Sequence, residues 1–252
     1  MRTIAYGSLA DQVGDLHLPD ATNPSVVCLL HGGFWRMPYG RDEMTALAND
    51  LVARGFAVWN LEYRRVGVPG GGWPGTFHDI GAGIDHLAAL ATEGVAIDLD
   101  RVVVVGHSAG GQLALWCAQR DATRSNGHGP KRVTVAAAVG LAPVADLARG
   151  YELACGNNAV ADFLGGSPGE LPERYRTASP IAMLPLGVGQ LIMHGTADDV
   201  VPAEISRNYA RAAIAEGDPV RFVELDGFGH MEFLDPANKA HAILCEWLAA
   251  VG

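Results

Sequence analysis

The sequence has no run of about 18 apolar residues, the length a helix needs to span a bilayer. Its opening stretch, MRTIAYGSLADQVGDL, lacks the apolar centre of a secretory leader. A cytoplasmic protein without a membrane partner is therefore expected. Cysteine is scarce: the four residues, at positions 28, 117, 155 and 245, form no C-x-x-C pair. Cys28 falls in an apolar strand, and Cys117 and Cys245 fall on apolar helices, so they read as small buried hydrophobes rather than disulfides or zinc ligands. No His/Cys/carboxylate group has metal-ligand spacing, and neither a metal nor any other cofactor is expected. Basic residues are outnumbered, 18 Lys and Arg against 28 Asp and Glu, with no basic cluster. A net charge of −10 argues against nucleic acid and anionic membranes, which gain from positive patches. There are no internal repeats and no low-complexity tracts.

What is present is an alternation of strand and helix patterns across 252 residues, enough for one large core. Residues 3 to 18 suggest a β-hairpin, and Val26–Leu30 and Phe56–Leu61 read as buried strands. Met44, Leu47, Ala48, Leu51 and Val52 share one helical face, as do Ile80, Ile84, Leu87, Ala88 and Ala91. Val102–Val105, Val133–Leu141, Gln190–His194 and Val220–Leu225 supply further strands. A helix is expected to start near Pro202, and Ala240, Leu244, Trp247, Leu248 and Val251 mark the last one. Residues 64–75 read as a Gly/Pro loop, and Arg120 to Lys131 as a polar surface loop. Strands and helices in alternation with short connections predict a doubly wound, mostly parallel sheet flanked by helices. Residues 1–252 are read as one α/β domain. A small cap-like insertion at about 143–185 interrupts its alternation and is too short for its own core.

The chain is organised around Arg101–Gln119, RVVVVGHSAGGQLALWCAQ. Four valines before Gly106-His107-Ser108-Ala109-Gly110 and an apolar helix after it place Ser108 on a sharp strand-to-helix turn. That context makes G-x-S-x-G a candidate nucleophile. A serine hydroxyl needs a base, and the base needs an orienting carboxylate. His230, in the loop after the last strand, is the candidate base. Asp198 and Asp199 after the preceding strand compete for the acid, with Asp146 a third possibility. Either neighbour could instead be a turn aspartate capping the helix that starts near Pro202. An oxyanion requires two N–H donors. Ala109, following the serine, should supply one. Gly33 or Phe34, in the glycine-bearing loop after Val26–Leu30, should supply the other.

Five stretches, HGGFW (31–35), EYRR (62–65), GHSAGG (106–111), HGTADDVVP (194–202) and GHMEFLDP (229–236), together resemble the α/β-hydrolases of the serine carboxylesterase type. The resemblance implies that fold with a hydrolytic site, and its H-G-x-x-D-x-x-V-P stretch puts the acid on Asp198. The HGGFW form of the oxyanion loop is similar to that of arylformamidases and of small acetylxylan and feruloyl esterases. The expected activity is metal-free hydrolysis of a small-molecule ester or activated amide through an acyl-enzyme. Arylformamidase activity is the alternative, and a non-catalytic ligand-binding protein on the same scaffold a remote one. Trp35, Trp73 and Met231 are expected to line and narrow the substrate cleft, which predicts short acyl chains.

Overall fold

The computed structural model describes residues 1–119 and 133–251. The expected surface loop from Arg120 to Lys131 lies outside the described residues. Eight strands form a single sheet in the order β1-β2-β4-β3-β5-β6-β7-β8. β1 (Arg2–Ala5) and β2 (Val13–His17) make the anticipated hairpin, and β2 pairs antiparallel with β4 (Ala57–Leu61). The remaining pairings are parallel: β3 (Ser25–Leu30) with β4 and β5 (Asp98–His107), then β6 (Ala137–Leu141), β7 (Gly189–Gly195) and β8 (Val220–Leu225).

Period-two packing explains the valine run. Val102 and Val104 point into one apolar core, and Val103 and Val105 into the other, so β5 is buried on both faces. α2 (Gly75–Thr92), α3 (Ala109–Ala118) and α7 (Glu204–Ala215) cover the first face. α1 (Thr45–Ala53) and α8 (Lys239–Val251) cover the second. Two boundaries differ from expectation. β6 starts at Ala137 rather than Val133, because the Val133 N–H is engaged by the Asp85 carboxylate of α2, 3.1 Å away, instead of a neighbouring strand. α2 begins at Gly75, before its first large apolar residue.

Residues 143–185 fold as three short helices, α4 (Leu147–Glu152), α5 (Ala159–Leu164) and α6 (Pro172–Ala178), and a 3-10 turn at Pro180–Met183. Phe163 of α5 is fully buried, stacked 4.4 Å from Trp35 and packed against Phe77 of α2. The segment therefore shares the core of the sheet's first face.

Candidate active site

The parts singled out in the sequence leave the sheet at the carboxyl ends of four parallel strands: Gly32–Trp35 after β3, Ser108 after β5, Asp198 after β7 and His230 after β8. Parallel strands put all these ends on one edge, where ligand crevices of such sheets form.

Ser108 has φ 55° and ψ −118°, a strained conformation for a residue with a side chain. The turn is possible because Gly106 and Gly110 pass within backbone contact of their neighbours. A Cβ on Gly106 would lie 2.0 Å from the Gly110 carbonyl oxygen, and one on Gly110 would lie 2.1 Å from that of Leu30. The Ser108 N–H is tied to the Leu141 carbonyl of β6 at 2.8 Å, which fixes the turn against the sheet. Ser108, His107, His230, Gly33, Phe34, Tyr39, Glu43, Val200 and Met231 line a cavity of about 190 Å³.

His230 Nδ1 donates to Asp198 Oδ2 at 2.7 Å, which leaves Nε2 as the nitrogen free to take a proton. Asp198 is gripped from both sides. Its Oδ1 accepts from the Val200 and Val201 N–H groups at 2.9 and 2.8 Å, and the buried His194 ring lies 3.1 Å from Oδ2. Burial by itself would raise the Asp198 pKa. The hydrogen bonds from His194, His230 and Val201 outweigh it and hold the carboxyl well below the ordinary carboxylate range. Asp198 therefore closes the turn as well as pairing with histidine, but it does not cap the following helix: α7 starts at Glu204 with Ala203 before it and no side-chain cap. Asp199 is exposed, and Asp146 caps α4 by accepting from the Arg149 N–H, so neither rival carboxylate touches His230. Among the described residues no hydrogen bond joins Ser108 to His230. Both residues line the same cavity.

The loop after β3 places Gly33 (φ 87°), Phe34 (φ 52°) and Trp35 (φ 55°) consecutively in the left-handed region. Two non-glycine residues there store strain, and contacts at both ends hold them. At the root, the His31 ring is stacked 4.2 Å from Tyr63, is bonded to Glu62 at 2.8 Å, and its carbonyl accepts from the Tyr63 hydroxyl. These are residues of the EYRR stretch. At the tip, Arg36 donates to the Gly156 and Asn157 carbonyls and pairs with Asp162 at 2.6 Å. The Gly33 and Phe34 N–H groups have no acceptor among the described residues. Ala109, first residue of α3, has an N–H that the helix itself leaves unpaired.

Not every expected cleft residue faces the cavity. Trp35 is fully buried: its indole donates to Gln112 Oε1 at 3.0 Å and stacks on Phe163. Trp73 packs edge-on against Phe77 at 5.1 Å and is not part of the cavity wall. Met231 is 55% exposed and does line it. Tyr39, Glu43, His107 and Val200 also line it, and no motif marked the first two. None of the lining residues comes from 143–185.

Among the described residues one cluster could hold a metal: Asp50 of α1 with His241 and Cys245 of α8, whose ligand atoms lie within 4.8 Å of one another. Its His241 nitrogen is bonded to Asp50, which also pairs with Arg54, so as it stands the cluster is a hydrogen-bonded link between α1 and α8. No helix among the described residues is long and apolar enough to cross a membrane.

Solved structures similar to this chain share its fold across almost its whole length. A bifunctional GH43-CE protein from Bacteroides eggerthii matches with a TM-score of 0.85 and 23% identity, over 99% of this chain and 37% of its own. This chain thus spans little more than a third of that protein. A truncated carbohydrate esterase from gut microbiota matches with a TM-score of 0.84 and 22% identity, over 98% of this chain and 94% of its own. Esterase Est2 of the planctomycete Thermogutta terrifontis matches with a TM-score of 0.81 and 22% identity, over 100% and 92%. No curated protein sequence matches. The BD-FAE family model matches residues 15–212, and with the fold and the motif residues in place, the chain belongs to the BD-FAE family of α/β-hydrolase esterases.

Proposed function

We propose that the protein is a serine esterase that cleaves small carboxylic esters through an acyl-enzyme, with Ser108 as nucleophile, His230 as base and Asp198 as its orienting acid. One observation carries the reading: the Asp198–His230 hydrogen bond of 2.7 Å presents the free His230 nitrogen to the cavity that Ser108 lines. In the first half-reaction Ser108 Oγ forms a bond to the ester carbonyl carbon and its proton passes to His230 Nε2. The C–O bond to the alcohol then breaks, and His230 returns the proton to the leaving oxygen. Water repeats the sequence on the acyl-serine and releases the acid. Ala109 N–H and the unspent N–H groups of Gly33 and Phe34 receive the negative charge that builds on the carbonyl oxygen. The buried, fourfold-held Asp198 keeps the His230 tautomer fixed and favours the imidazolium once formed.

Short acyl groups fit best. The cavity is small, and forms of Thermogutta terrifontis Est2 are described as propionate-bound and butyrate-bound. Residues 143–185 act in this reading as a buttress of the oxyanion loop through Arg36. The test is labelling by a fluorophosphonate probe together with rates on 4-nitrophenyl acetate and on N-formylkynurenine. Labelling lost in Ser108→Ala, with the ester turned over faster, is the expected result. Faster turnover of the formamide would make the enzyme an arylformamidase. Absence of labelling would reduce the scaffold to a binding protein.

A further inference from the structure

Glu43 has no part in the chemistry just described. It lies in the 3-10 turn Arg41–Met44, beyond the oxyanion loop, and lines the cavity with Ser108 and His230. Its backbone N–H closes the turn onto the Gly40 carbonyl, and among the described residues its carboxylate has neither a hydrogen-bond nor an ion-pair partner. The acidic neighbour behind it is committed: Glu62 accepts from His31 and from the Arg41 N–H. Burial of the Glu43 carboxyl pushes its pKa up, as a carboxylate short of solvation should behave. Among the described residues no Lys or Arg lines the cavity, and the remaining wall is largely apolar, with Phe34, Tyr39, Val200 and Met231. His107, also in the wall, is a neutral ring whose Nε2 is spent on a backbone carbonyl. A half-buried carboxylate with no protein partner leaves its oxygens open to a donor carried by a bound molecule.

We propose that Glu43 forms a substrate-selecting subsite that receives a hydrogen-bond donor carried by the ester, above all a protonated amine, and rejects esters that bring a carboxylate. The inference rests on the esterase reading above and names the chemistry that the same cavity prefers. A charged donor gains both the hydrogen bond and the Coulomb attraction. A hydroxyl gains the hydrogen bond alone and ranks between charged donors and alkyl groups. A second carboxylate meets like charge in poorly solvated surroundings, and the net charge of −10 weights the approach of substrates in the same direction.

The experiment compares kcat/KM on two matched sets of esters. On the alcohol side these are 2-(dimethylamino)ethyl acetate, 3-methylbutyl acetate and 3-acetoxypropanoate. On the acyl side they are 4-nitrophenyl butyrate and 4-nitrophenyl hemisuccinate. The wild type should favour the ammonium ester over its alkyl counterpart on the order of tenfold, the ratio that ~1.4 kcal/mol produces. It should also disfavour the anionic member of each set, with the differences appearing mainly in KM. Glu43→Gln should bring these ratios close to one, and Glu43→Lys should invert them. Added salt should compress the wild-type ratios. Turnover without charge discrimination, or ratios unchanged in both variants, overturns the subsite. If the wild type hydrolyses none of the five esters and resists the fluorophosphonate, the esterase reading falls and the subsite with it.

Discussion

His107 Nε2 donates a 2.9 Å hydrogen bond to the backbone carbonyl of His230, and the two rings lie 4.6 Å apart. The residue before the serine thus anchors the histidine that would serve that serine. A carbonyl can only accept, so the proton sits on Nε2 and Nδ1 is bare. That Nδ1 is buried without a hydrogen-bond partner. Burial, helped by repulsion from charge on His230, pushes the His107 pKa down to about 3. A neutral ring here holds the His230 backbone without adding a positive charge beside the base.

This anchor makes stability depend on pH. In the unfolded chain a histidine titrates near ~6.5, so the fold favours the neutral form of His107. Its contribution is complete above that value and is lost as pH falls through it towards about 3. Asp198, whose pKa is also depressed in the fold, adds a further loss below the ordinary aspartate value, ~4. The thermal midpoint should therefore drop as pH is lowered from neutrality. His107→Gln, whose amide can still donate to the carbonyl, should flatten the upper part of that drop. A slope identical in the variant would assign the loss to another group.

Asp198→Asn should reduce kcat by about 10⁴, the effect of the equivalent change in serine proteases, because an amide favours the wrong histidine tautomer. Asp199→Asn should stay close to wild type, since that side chain is exposed and touches neither histidine. Steady-state rates on 4-nitrophenyl acetate decide the matter, and the opposite ranking would move the acid by one residue.

Arg36 holds the strained Gly33–Trp35 turn from its far end, through the carbonyls of Gly156 and Asn157 and the Asp162 carboxylate. Arg36→Ala should let the turn relax and misplace the N–H groups. Loss of a whole oxyanion donor costs about 10²–10³ in kcat, and loosening should cost less, roughly tenfold. KM should change little, and Arg36→Lys should restore part of kcat by reaching Asp162. A fall confined to KM would mean that the turn holds substrate rather than the developing charge.

The candidate triad was legible because Ser108 directly follows β5, Asp198 and His230 stand in the loops after β7 and β8, and a parallel sheet gathers such ends on one edge. The Asp198–Asp199 ambiguity could not be resolved from spacing, since either residue can cap the turn. In the structure Asp198 accepts from the Val200 and Val201 N–H groups and from His230, while Asp199 is exposed. Trp35 was misjudged because adjacency to Phe34 does not fix direction. With both residues at positive φ, the indole swings inward to Gln112 and Phe163. Tyr39 and Glu43 escaped notice because residues 36–44 have no periodicity. Their path is set by distant partners: the Val66 carbonyl accepts from the Met37 N–H, and Arg65 holds the Tyr39 carbonyl.

Acyl-chain preference tests the cavity itself. Each methylene buried contributes roughly 0.8 kcal/mol, so kcat/KM should first rise with chain length and then fall once the chain meets a wall. With about 190 Å³ between Phe34, Tyr39, Val200 and Met231, that wall should be met early. On 4-nitrophenyl esters the optimum should lie between acetate and butyrate, with a steep fall by octanoate. Met231, half exposed on the rim, is the side chain whose removal opens the cavity without disturbing the core. Met231→Ala should move the optimum to longer chains. Trp73→Ala should not, because the indole packs on Phe77 away from the cavity wall, so its loss costs stability instead. Removing a buried aromatic destabilises by about 3–5 kcal/mol when burial is complete, and the half-buried Trp73 should cost less. A shift in chain preference from Trp73→Ala with none from Met231→Ala would place the wall on the other side of the cavity.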